Sequence, residues 1–178
     1  MPIDMKNIIS ETFIDMVRQK GLDKITVKAL IEACNISRQT FYYHFQDIMD
    51  VVEWSVSKSA QNMLSRSLEA ESPEKALEIF ITSAAENHTL ILKLLNSHRR
   101  DEIEKTFLNA TKTYLQEMLK RKVPESTLSY SDLNVLLDFW ACGITGLLFK
   151  YCSNKELNVS QLANQIYRLL SEQMIRTQ

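Results

Sequence analysis

Thr26-Val27-Lys28-Ala29-Leu30-Ile31-Glu32-Ala33-Cys34-Asn35-Ile36-Ser37-Arg38-Gln39-Thr40-Phe41-Tyr42-Tyr43-His44-Phe45 decides the reading of this chain. Thr26 is a helix N-cap type, and Val27, Leu30 and Ile31 fall on one face of the helix that follows. Asn35 adopts a left-handed backbone more cheaply than most residues, so it suits the tight turn at Cys34-Asn35-Ile36. Ser37 caps a second short helix from Arg38 to about Phe45. Phe41 and Phe45, at i and i+4, face inward. Arg38, Gln39, Thr40, Tyr42, Tyr43 and His44 are left as a donor-rich surface with aromatics. Two short helices joined by a tight turn make a helix-turn-helix, and such a second helix can lie in a DNA major groove.

Outward from this unit the chain is helical throughout. Ile9, Phe13, Met16 and Val17 give Asp4 to about Lys20 an amphipathic face, and Gly21 is placed to end it. Asp47 caps a long helix from Ile48 to about Ala70. Ser72-Pro73 opens another, running to about Asn87, with Ser as cap and Pro at the first helical position. A short apolar helix follows through Leu90, Ile91, Leu94 and Leu95. Asp101 to Lys122 carries a stripe of Phe107, Thr111, Tyr114, Leu115, Met118 and Leu119, and Val123-Pro124 stops it. Ser131 to Cys152 is apolar on nearly all sides, so it belongs in a core or between partners. Val159, Leu162, Ala163, Ile166, Leu169, Leu170 and Met174 stripe the last helix. The expectation is an all-α fold of about nine helices. Residues 1–47 form a three-helix DNA-binding domain and 48–178 a helical dimerisation and effector domain.

Composition agrees. The 178 residues include three glycines and three prolines, together about 3% against roughly 12% in average usage. That argues against a sandwich, a barrel or any hairpin-rich fold. The net charge of -1 excludes a wholly basic nucleic-acid coat. Locally the sign differs: Arg18 to His44 holds Arg18, Lys20, Lys24, Lys28 and Arg38 against Asp23 and Glu32, a net +3. The cysteines are Cys34, Cys142 and Cys152, with no CxxC pair. Their odd number, and a start lacking a basic segment followed by an apolar run, favour a reduced, cytoplasmic chain. The longest uncharged apolar stretch, Phe139 to Phe149, is shorter than the roughly 18–20 residues that span a bilayer. There is no Gly-rich phosphate loop, no GxSxG and no HExxH, and the carboxylates have no paired catalytic spacing, so an enzyme is not expected. His88, His98, Cys142 and Cys152 are too widely spaced for a metal-ligand pattern, and neither a metal nor a cofactor is expected.

Ser37 to Phe45 resembles the recognition-helix signature of the TetR family of bacterial transcription regulators, with Thr40, Tyr42, His44 and Phe45 at the family's offsets. Ile25 to Ile31 resembles that family's second helix, and the detailed match covers about Asp4 to Trp54. Phe41 to Trp54 together with Gly143 to Leu148 resembles, more narrowly, a short-chain subgroup that includes activators of dihydroxyacetone-kinase operons. The resemblance implies that Gln39, Thr40 and Tyr43 approach base edges. It implies that Tyr42, His44, Thr26 and Lys28 hold phosphates and that Arg38 does either, and Ser37, the cap of the reading helix, counts with these as a DNA-binding residue. One position departs: Ile48 stands where many members carry a phosphate-binding Lys.

The resemblance also implies a homodimer built on the last two helices, bound to a palindromic operator and controlled by a small-molecule effector. The interface would draw on Leu136, Trp140, Gly143, Leu147, Leu162, Ile166, Leu169 and Leu170. Asn87, His88, His98, Tyr114, Trp140 and Cys142 have polar handles on an apolar background, as an effector pocket requires. The alternative is a coregulator switched by a ligand-sensing protein partner, with weak DNA binding and no pocket of its own. Operator, effector and the sign of regulation are not written in the sequence.

Overall fold

The computed structural model describes residues 4–122, 129–151 and 157–175. Pro2, Val123-Pro124 and Cys152 lie outside them. The described residues form nine α-helices and no strand: α1 Met5–Lys20, α2 Val27–Cys34, α3 Arg38–His44, α4 Ile48–Leu68, α5 Pro73–Glu86, α6 His88–Leu95, α7 Arg100–Lys122, α8 Tyr130–Tyr151 and α9 Val159–Ile175.

The expected caps are present. Thr26, Ser37 and Ser72 each accept a backbone N–H from the first turn of α2, α3 and α5, and Asp4, read from the sequence as the first helical residue, caps α1 in the same way. Each such cap is worth about 1 kcal/mol against alanine. Asn35 closes α2 with φ 51°, in the left-handed region, and Gly21 follows α1 with φ 79°. One element was not anticipated, a 3₁₀ turn at Leu22–Lys24 between α1 and α2.

The chain divides into two compact units. The first contains Met1–Lys58 and Thr89–Thr106, so it joins α1–α3 and the first half of α4 to most of α6 and the start of α7. Ile9, Phe13, Val17, Leu30, Phe41, Phe45, Val51, Val52 and Ile103 are fully buried. The second contains Ser59–His88 and Phe107–Gln178. Its core gathers Leu77, Phe80 and Ile81 of α5, Tyr114 and Leu115 of α7, Leu137, Trp140, Ile144 and Leu148 of α8, and Ala163 and Ile166 of α9. α5 packs along α9 and touches α8.

Candidate nucleic-acid interface

α3 is held from below and open above. Phe41 and Phe45 are fully buried, with ring centroids 6.1 Å apart. Phe45 also meets Trp54 edge-on at 6.0 Å, and the Lys6 ammonium lies 5.2 Å from its ring centre. Lys6 is a basic group near this helix that spacing alone did not single out. Ser37 Oγ accepts the Thr40 N–H at 3.0 Å and lies 2.8 Å from the Thr40 hydroxyl. That pins the first turn.

Arg38, Gln39, Tyr42 and Tyr43 are exposed, while Thr40 and His44 are half-buried. Tyr43 is 84% exposed, against 49% for Tyr42. Its ring meets His44 edge-on at 4.9 Å, and the Arg38 guanidinium lies 6.0 Å from the centre of the Tyr42 ring. A guanidinium near an aromatic face keeps its donors outward at little entropic cost. Thr26 accepts the Ala29 N–H at 3.1 Å, and Lys28 stands exposed with Glu32 at 4.0 Å. An exposed pair at that distance holds the ammonium weakly. The residues expected to meet DNA therefore sit on α3 and the start of α2, within one unit.

The start of α4 is different in character. Asp47 Oδ1 accepts the N–H groups of Met49 and Asp50 at 2.7 and 3.0 Å, and Asp50 Oδ2 accepts the Gln46 N–H at 2.9 Å. The arrangement resembles a capping box shifted by one residue, with Asp50 reaching the N–H before the cap, and it puts two carboxylates beside Ile48.

Of the residues expected at an effector pocket, the second unit brings Tyr114 and Trp140 together in its buried core. Tyr114 is buried, donating to Ser67 Oγ at 2.9 Å, and Ser67 in turn donates to the Ala76 carbonyl at 3.2 Å. Burial pushes the Tyr114 phenol above its ordinary pKa, against the pull of Ser67. Trp140 lies in the core, Asn87 bonds the Ser83 carbonyl at 2.9 Å, and His88 Nδ1 lies 2.9 Å from the Ala85 carbonyl. Cys142 is exposed on α8, and His98 belongs to the other unit. A groove between the end of α8 and α9 is lined instead by Leu147, Tyr151, Gln161, Gln165, Arg168 and Leu169, among others. Among the described residues, no three of His, Cys, Asp and Glu are gathered as a metal ion would require.

Of the residues expected at a dimer face, Trp140 and Ile166 are each 4% exposed and commit to the core. Leu136, Leu147, Leu162 and Leu170 are half-buried against it. Gly143 and Leu169 are exposed. The open face of α8 carries Val135 and Phe139, 67% and 61% exposed, in line with Cys142, Gly143 and Gly146. Val135 and Phe139 are not among the expected interface residues, and their helical spacing from the glycines is the signal that marks them. A Cβ added at Gly143 or Gly146 would meet no atom within 4 Å.

Comparison with known proteins supplies the family. The profile described as bacterial regulatory proteins, tetR family, matches residues 14–53, and that of the TetR-type transcriptional regulator C-terminal region matches 71–172. The HTH-type dhaKLM operon transcriptional activator DhaS of Lactococcus lactis subsp. lactis (strain IL1403) is 21% identical over 128 residues, which are 72% of this chain and 67% of that one. Among solved structures, a dihydroxyacetone kinase operon activator DhaS shares the fold with TM-score 0.65 at 19% identity, over 95% of each chain. Lin0861 from Listeria innocua gives 0.72 at 19%, over 95% of this chain and 93% of its own. FadR from Bacillus subtilis, solved with stearoyl-CoA, gives 0.54 at 16%, over 92% and 96%. With the C-terminal profile alone spanning more than half of its length, this chain belongs to the TetR family of transcriptional regulators.

Proposed function

We propose that the protein is a cytoplasmic, sequence-specific DNA-binding regulator acting as a homodimer on a palindromic operator. Residues 1–47 read DNA, and 48–178 dimerise and receive the controlling signal. The observation that carries this reading is the outward row of Arg38, Gln39, Tyr42 and Tyr43 on a helix anchored by Phe41 and Phe45. Arg38, Gln39, Thr40 and Tyr43 are suited to base edges, and Tyr42, His44, Thr26 and Lys28 to phosphates. Two copies of α3 then fall about 34–36 Å apart, or a multiple of that, to read two half-sites.

The second copy covers the open face of α8 and α9: Val135, Phe139, Gly143, Gly146 and Leu169. By length and composition α8 is also apolar enough to cross a membrane. Its other face is committed to the protein core through Leu137, Trp140, Ile144 and Leu148. A partner helix, rather than lipid, therefore suits the remainder. A small organic effector in the second unit is the control we favour, in line with the acyl-CoA held by FadR.

A second reading is a coregulator switched by a protein partner, with weak DNA binding of its own. The start of α4 favours it, because Asp47 and Asp50 beside Ile48 repel a phosphate where a basic residue would hold one.

The test is binding of the pure protein to the DNA upstream of its own gene, measured across salt concentrations. Affinity should fall steeply with salt, by a slope near -0.9 per phosphate contact. Arg38→Ala should cost about 1–3 kcal/mol if Arg38 pairs with guanine, and Tyr42→Phe should weaken binding less. No preference over random DNA would sink the first reading and favour the second.

A further inference from the structure

The corner between α1 and α2 is gripped by a segment far away in sequence. α1 ends at Gly21, the 3₁₀ turn Leu22–Lys24 follows, and Thr26 starts α2. Lys93, near the end of α6, donates its ammonium to the Arg18 carbonyl, and to the Gln19 carbonyl at 3.4 Å. A cation against the last carbonyls of a helix is favourable for both the dipole and the unpaired acceptors. Just beyond α6, the Asp23 carboxylate accepts the His98 backbone N–H at 3.1 and 3.3 Å and lies 2.8 Å from His98 Nδ1. One segment thus holds the corner at both ends.

Stability alone is a poor account of this arrangement. The His98 and Asp23 side chains are 94% and 37% exposed, and such pairs add little to folding. Position is a better one. The corner sets where α2 begins, α2 packs on α3, and a recognition surface tolerates displacements of only about 0.5 Å.

We propose that Lys93, His98 and Asp23 form a positioning clamp that sets α2 and α3 for DNA, making Thr89–Thr106 part of the reading head. The proposal rests on the DNA binding proposed above. None of the three residues contacts DNA in this scheme; each acts through the corner.

Two readouts test it on the full-length protein. The first is amide hydrogen exchange at Gly21 to Thr26. The second is affinity for a duplex that the wild-type protein selects from a randomised pool, measured across salt. Asp23→Asn and His98→Gln should each speed exchange at the corner at least threefold and weaken the selected duplex about 3- to 10-fold. The double variant should bind no worse than the weaker-binding single variant, because both disrupt the same side-chain pair, while the His98 backbone N–H keeps an oxygen acceptor at position 23 in each. The salt slope should not change, because no phosphate contact is lost. Unchanged exchange, additive losses, or a slope reduced by about one would overturn the clamp; the last would make one of these residues a direct phosphate ligand. A wild-type protein that selects no duplex refutes the DNA reading separately. Exchange then decides the clamp alone: faster exchange supports a brace on the corner, and unchanged exchange refutes it.

Discussion

Phe139 and Trp140 are neighbours on α8 with opposite surroundings. Phe139 is 61% exposed, and Trp140 is 4% exposed within the core of the second unit. If the open face of α8 meets a second copy, Phe139→Ala should split the dimer and leave the fold intact. Fully burying a phenylalanine side chain is worth about 1.5–3 kcal/mol, so the part still exposed here is worth about 1–2 kcal/mol. An isologous interface presents the residue twice, which makes the loss about 2–4 kcal/mol. At about 1.4 kcal/mol per factor of ten, the dimer dissociation constant should rise roughly 30- to 700-fold. Trp140→Ala removes core volume instead, and should cost about 3–5 kcal/mol of folding stability. Sedimentation across protein concentration reads the first effect, and thermal melting by circular dichroism reads the second. The reasoning is refuted if Phe139→Ala leaves the association unchanged, or if Trp140→Ala separates the subunits with the melting temperature intact.

Other perturbations bear on the same structure. Gly143→Ala with Gly146→Ala meets no atom within the chain and should raise the stability of α8 by about 0.8–1.0 kcal/mol per site. It should weaken the dimer by sedimentation, since the added methyls occupy the space of a close-packed partner. Tyr114→Phe removes the hydroxyl that bonds buried Ser67 and should lower the melting temperature by about 2–5 °C, at a loss near 1–1.5 kcal/mol. The Lys75 ammonium at 2.8 Å, then the Ser160 hydroxyl at 2.5 Å, hold the Glu78 carboxyl below the usual glutamate range. A depressed carboxylate contributes stability above its unfolded value and loses it as pH falls through the folded one. The small difference in melting temperature between the wild type and Glu78→Gln should therefore be present at neutral pH and vanish in acid.

Helix starts were the most legible part of this chain. Thr26, Ser37 and Ser72-Pro73 carry local chemistry that caps a helix whatever surrounds it, and all three cap one here. Asn35 is legible for the same reason, since few residues other than glycine adopt its φ of 51°. The exposed row Arg38, Gln39, Tyr42 and Tyr43 of α3 follows from the spacing of Phe41 and Phe45, while Thr40 and His44 are half-buried.

Other features depend on tertiary structure that spacing does not encode. α8, apolar all round, has no periodicity to separate its core face from its open face, so nothing in its sequence marks Trp140 as a core residue; Ile166 lies on the striped face of α9, and a stripe does not say whether core or partner covers it. The pocket candidates share only a residue type, a polar group on an apolar background. Type does not reveal that Tyr114 spends its hydroxyl on Ser67, or that Cys142 faces away from the core where Trp140 lies. The grip of Lys93 and His98 on the first corner joins groups more than seventy positions apart, beyond the reach of any local pattern.

The most direct test of the account is selection of duplexes from a randomised pool by the purified wild-type protein, followed by sequencing. Two copies of α3 related by a two-fold axis should enrich an inverted repeat with half-sites about one helical turn apart, or a multiple of it. An enriched pool without two-fold symmetry, or no enrichment at all, would contradict the claim that this protein reads DNA as a symmetric dimer.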